Sequence, residues 1–109
     1  LSSGATADYG GLAAIVRFNN AGRIDARNGG VYTTAAVIPY VAGLTYHFRL
    51  VVNIPARSYS AYVKQGVNAE QLIGGNYSFR TEQAAVSALN NLGLISSTGS
   101  QSICGVVVK

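Results

Sequence analysis

Leu44-Thr45-Tyr46-His47-Phe48-Arg49-Leu50-Val51-Val52-Asn53, then Ile54-Pro55-Ala56-Arg57, then Ser58-Tyr59-Ser60-Ala61-Tyr62-Val63-Lys64, is the stretch that decides the fold class. In the first segment Tyr46, Phe48, Leu50 and Val52 point one way, and Thr45, His47, Arg49 and Asn53 the other. In the second, Tyr59, Ala61 and Val63 oppose Ser58, Ser60, Tyr62 and Lys64. A repeat of two is that of a half-buried antiparallel strand. A short turn containing Pro55 joins the pair into a hairpin. One face is apolar, while the other carries His, Arg, Tyr and Lys, more chemistry than a merely wet face requires.

Working outward, the same pattern recurs. Leu12 to Phe18 reads as a strand, Asn19-Asn20-Ala21-Gly22 as a turn, and Arg23 to Arg27 as a strand returning on the first. Asn28-Gly29-Gly30 is a second turn before a strand from Val31 to Thr34. Pro39 and Gly43 punctuate a looser connection from Ala35 to Gly43. Beyond Lys64 come a loop from Gly66 to Glu70, a short strand from Gln71 to Ile73, a turn at Gly74-Gly75, and a strand from Asn76 to Arg80. Glu82 to Leu92 reads as a loop with one helical turn. Leu92 to Ser96 and Ser102 to Lys109 complete about eight or nine short strands, with residues 1–11 as a small, flexible lead-in. This is a single all-β domain, an antiparallel β-sandwich of the jelly-roll kind.

Composition agrees. The chain has 109 residues, 49% hydrophobic and 11% charged, enough apolar material for one core and too much for a disordered segment. No run reaches the length of a membrane-spanning helix. Met is absent and the chain starts at Leu1, which is expected of a processed or trimmed product. The lone cysteine, Cys104, excludes an internal disulfide and reads as a small buried hydrophobe. The net charge is +4, carried mostly by arginine, which favours anionic partners such as acidic polysaccharide; solubility alone also explains it.

If the apolar residues face a core, Arg17, Arg23, Asp25, Arg27, His47, Arg49, Tyr62 and Lys64 face outward. Were they contiguous, they would suit a sugar: arginine forks grip paired oxygens, tyrosine offers a flat apolar face with a polar tip, and His47 gives a directional donor and acceptor. The competing reading is a cross-strand ladder, with Asp25 held between Arg23 and Arg27. Tyr46 and Tyr59 read as core residues with hydroxyls at the rim, and Tyr9, Tyr32 and Tyr40 as residues in or next to loops, where a sugar ring could stack.

Catalytic machinery is not legible. There is no Gly-x-Ser-x-Gly, no local pair of carboxylates, no zinc or copper cluster, no P-loop and no Gly-x-Gly-x-x-Gly. A polysaccharide lyase using His47, Arg49 and Tyr62 is the minor enzymatic alternative. Glu82 is expected to pair with Arg80. Nucleic-acid binding has no lysine stripe or stacking motif behind it. Asn76-Tyr77-Ser78 matches an N-glycosylation sequon.

The Tyr46-His47-Phe48-Arg49 strand, the hairpin after it and the Tyr59-Ser60-Ala61-Tyr62-Val63 strand resemble concanavalin-A-like, LamG-type jelly-roll domains. Val16-Arg17-Phe18-Asn19, Gly22 to Gly29 and Phe79-Arg80-Thr81-Glu82-Gln83 are similar to pieces of secreted bacterial modules of that superfamily. The resemblance, spanning about Leu12 to Val108, implies carbohydrate binding, secretion to the outside of the cell, and strands ahead of those seen here that this chain is expected to lack. It also implies calcium in many members; Asp25 with Asn28 and loop carbonyls is the best-placed site for it, although no cofactor is expected. The reading is therefore a non-catalytic, polysaccharide-binding module. Its alternative is a structural subunit of an extracellular fibre, self-associating or taking a strand from another chain.

Overall fold

The structure, a computed structural model, describes residues 1–6, 8–95, 103, 105 and 106. Its strands are β1 (Val16–Phe18), β2 (Ile24–Asn28), β3 (Val31–Thr33), β4 (Tyr46–Asn53), β5 (Ser58–Gln65) and β6 (Gln71–Ser78). Single 3-10 turns occupy Tyr9–Gly11 and Thr81–Gln83. The chain is all-β: two antiparallel three-stranded sheets, ordered β1-β2-β3 and β4-β5-β6. No helix among the described residues is long and apolar enough to cross a membrane.

The β4–β5 hairpin forms as its alternation requires. The strands pair without a break from Tyr46↔Gln65 to Asn53↔Ser58. Pro55 sets the φ of the turn's second residue, and the Arg57 N–H closes the turn on the Ile54 carbonyl at 3.0 Å. The Asn53 side-chain oxygen accepts from Ala56 N at 3.1 Å, and Arg57 takes the left-handed φ of 51° that re-enters the strand. The first hairpin uses similar chemistry, with Asn19 Oδ1 accepting from Ala21 N at 2.9 Å and Arg23 N at 3.1 Å.

Ile24 and Ala26 of the first sheet and Tyr59, Ala61, Val63 and Ile73 of the second share one buried core with Ala13, Ala14, Ile38 and Phe79. Tyr59 is its centre, 1% exposed. Its hydroxyl reaches the carbonyls of Ile15 and Arg27, so it crosses to the other sheet rather than sitting at the rim. The sheets are also stitched along β6: Gly29 N donates to the Ser78 carbonyl at 3.1 Å, Ser78 N to Asn28 Oδ1 at 2.9 Å, and Ala35 N to the Ile73 carbonyl at 2.7 Å.

Several expectations change. Only Val16–Phe18 of the first predicted strand is in the ladder; Leu12 to Ile15 are buried, and the Ala13 and Ile15 carbonyls accept from Arg80 N and Arg27 N. Gly74-Gly75 is not a turn. β6 runs through it with irregular register against β5; Gly74 is buried beside the Tyr77 ring, and Asn76 takes a φ of 54°. Near the predicted strand at Leu92 to Ser96, the described residues show one bridge, Ser2↔Asn91. The lead-in is tied at its start, where the Leu1 ammonium donates to the Ala14 carbonyl at 2.8 Å and Ser2 is buried. Cys104 and most of the predicted strand from Ser102 to Lys109 lie outside the described residues.

Candidate functional site

The seven candidate site residues fall into two groups, one on each sheet. In both, alternation turns them away from the shared core. They do not form the single surface imagined from the sequence, because β1-β2-β3 and β4-β5-β6 are separate sheets whose apolar faces are turned to one core.

The first group is Arg17, Asp25 and Arg27. Arg17 lies directly across from Asp25, and its fork donates to both carboxylate oxygens, at 2.7 Å and 3.1 Å. Asn19 Nδ2 adds a third bond at 3.0 Å. Asp25 is only 7% exposed, and the hydrogen bond to it raises the Arg17 pKa further. The Arg17 guanidinium lies 3.6 Å over the Tyr32 ring, with that of Arg27 at 5.0 Å; Arg27 Nε donates to the Gly29 carbonyl at 2.8 Å. The expected Arg23–Asp25–Arg27 ladder is thus replaced by a closed Arg17–Asp25–Asn19 network. Directly opposed residues on paired strands are nearer than those two apart on one strand. Both Asp25 oxygens are engaged by nitrogen donors and Asn28 Oδ1 accepts from Ser78 N, so this is not a calcium seat. Among the described residues no group of three or more His, Cys, Asp or Glu is placed to hold a metal ion.

The second group is brought together on β4 and β5, where His47 pairs with Lys64 and Arg49 with Tyr62. The Arg49 guanidinium lies 4.0 Å over the Tyr62 ring and donates to both oxygens of Glu70, Nη2 at 2.7 Å and Nε at 3.1 Å. Hydrogen bonding to Arg49 holds the Glu70 carboxyl below its ordinary pKa, and the Arg49 guanidinium is correspondingly raised. His47, Phe48, Arg49, Lys64, Gly66 and Glu70 line an open cleft of about 240 Å³. Neither His47 nor Lys64 makes an ion pair or side-chain hydrogen bond among the described residues. The cleft therefore offers a ligand a cation and an imidazole that no direct bond has to release, although Lys64 feels the nearby Glu70 carboxylate.

Glu70 was not legible from sequence. The signal lies in the register: Tyr62↔Leu72 and Val63↔Gln71 carry residue 70 opposite Lys64, but only once β6 is placed beside β5. Of the three tyrosines expected in or next to loops, Tyr32 stands in β3 with a face covered by Arg17, and Tyr40 is edge-on to Phe18 at 4.8 Å with its hydroxyl donating to the Asn19 carbonyl at 2.7 Å. Tyr9 is 40% exposed. Arg80 and Glu82 form the expected ion pair. A smaller cleft of about 150 Å³ lies by Ile38, Tyr46 and Val63, rimmed by the amides Gln65, Asn68 and Gln71.

No protein-family model, curated protein or solved structure matches this chain. Nothing in these comparisons identifies a concanavalin-A-like superfamily.

Proposed function

We propose that this chain is a non-catalytic carbohydrate-binding module of a secreted or cell-surface protein, a jelly-roll sandwich of the concanavalin-A-like kind. It binds acidic polysaccharide through the outer face of β4-β5-β6. The carrying observation is the cleft in which Arg49, stacked on Tyr62, sits beside Lys64 and His47, neither of which is in an ion pair or side-chain hydrogen bond among the described residues. A fork, a point charge and a directional ring are the chemistry that grips carboxylate or sulfate among hydroxyls. Arg17, Asp25 and Arg27 are assigned to holding the other sheet together.

The test is retention on immobilised acidic polymers. Binding should fade as salt rises. Arg49→Ala should weaken it about tenfold, the loss of one charge-assisted contact, and Lys64→Ala should weaken it less. Retention that ignores both substitutions in folded protein would sink the site. Retention on neutral polymers alone would move it to the amide-rimmed cleft.

A second reading has its own observation. Among the described residues β4 is an edge strand, and Tyr46, Phe48, Leu50 and Val52 on its apolar face are only half buried. Such an edge can accept a strand from another chain, as in a fibre subunit. Particles that grow with concentration, together with no retention on any polymer, would favour it.

A further inference from the structure

The Arg49 fork is not empty. Glu70 places its two oxygens on Nη2 and Nε in the side-by-side geometry by which a uronate carboxylate or a sulfate would dock. Tyr62 backs the guanidinium from one side, which fixes the plane of the fork and the direction of its donors. Yet nothing shields the pair: the Arg49 and Glu70 side chains are 53% and 37% exposed. An ion pair as open as this is weak, so an incoming anion can replace it. Among the described residues Arg49 is the only side chain to which Glu70 bonds.

We infer that Glu70 is a resident competitor for the anion seat on Arg49, and that it sets the affinity and the ligand class of the cleft. This deepens the binding reading above and rests on it. A neutral diol offers Arg49 hydrogen bonds without a charge, which are about half as strong as those of a carboxylate, so it cannot displace Glu70. A ligand carrying paired anionic oxygens can, and gains Lys64 and His47, which line the same cleft. The displaced Glu70 then stands beside the ligand as a like charge and shortens its stay. The site thereby selects acidic over neutral sugars and releases them readily.

The experiment uses the full chain with dextran sulfate, polygalacturonate and neutral dextran as probes, at low salt and neutral pH. Glu70→Gln keeps the shape and removes the competing charge. It should tighten binding to both acidic polymers about two- to fivefold, the factor that one exposed ion pair represents. Glu82→Gln removes the same charge from the exposed pair with Arg80 and serves as the control for net charge. It should change binding by less than about 1.5-fold, the residue of a screened, distant charge. In an Arg49→Gln background the gain from Glu70→Gln should shrink to less than half, because the seat is gone and only the repulsion between Glu70 and the ligand is left to relieve.

No gain from Glu70→Gln, a gain matched by Glu82→Gln, or a gain undiminished without Arg49 overturns the inference while leaving the binding reading standing. Binding by the wild-type chain that is indifferent to Arg49→Gln, or no binding by any variant, overturns both.

Discussion

At the scale of single residues, Tyr59 carries the most. Its phenol is shut in the core, where it donates to the Ile15 and Arg27 carbonyls, and burial pushes its ionisation well above the ordinary tyrosine range. The folded state therefore prefers the protonated phenol. Its contribution to stability is full below the unfolded tyrosine value, about pH 10, and drains away as pH rises from there toward the folded value. Tyr59→Phe should cost about 0.5–1.5 kcal/mol at pH 7, the net worth of a buried hydrogen bond. The gap between the two proteins should narrow above about pH 10, where only the wild type has a phenol to ionise. Urea melts at neutral and alkaline pH measure this, and a gap that widens with pH would contradict the assignment. Position 59 was legible as core from its place in the alternation, but the partners of its hydroxyl were not. They lie 44 and 32 residues away, on segments whose distance is settled only by the packing of the sheets.

At the scale of the element, β6 shows where local reading fails. Two adjacent glycines between apolar stretches are a generic turn signal. Here they let a strand pass through an irregular register against β5. A Cβ on Gly74 would lie 2.1 Å from the Tyr77 ring, whereas one on Gly75 would meet Leu72 Cδ2 at 3.9 Å, an ordinary contact. Gly74→Ala should therefore cost about 1–3 kcal/mol through displacement of Tyr77. Gly75→Ala should change stability by about 0.5 kcal/mol or less, as surface substitutions do. Equal melting temperatures for the two variants would refute the close approach. β4 and β5, by contrast, were read almost to the residue, because a period of two is written in neighbouring side chains and needs no knowledge of the rest of the fold. The Asp25 partnership sits between these cases. The turn at Asn19 to Gly22 implied the hairpin, but its register, Arg17↔Asp25, decides which arginine wins.

At the scale of the whole molecule, the polar residues divide by sheet, and so should their phenotypes. Asp25 accepts three side-chain bonds while nearly buried. Asp25→Ala should cost about 1.5–3 kcal/mol, the range for bonds to a charged group, while retention on acidic polymers per folded molecule stays within about twofold. Arg49→Ala should do the reverse, since its ion pair is open to water. A loss of binding in Asp25→Ala that tracks nothing in its stability would mean that the two faces act together. The sequence showed which residues face outward, but not that they belong to different sheets, for sheet membership depends on pairings between distant strands.

The bond from Tyr59 has a mechanical consequence. Its donor stands on the middle strand of one sheet, and one of its acceptors on the middle strand of the other. This pin joins the two inner strands and, with the bonds along β6 and the shared core, ties the fate of each sheet to its neighbour. Heat or pulling force should therefore meet the two sheets as one body, and the molecule should yield in a single step.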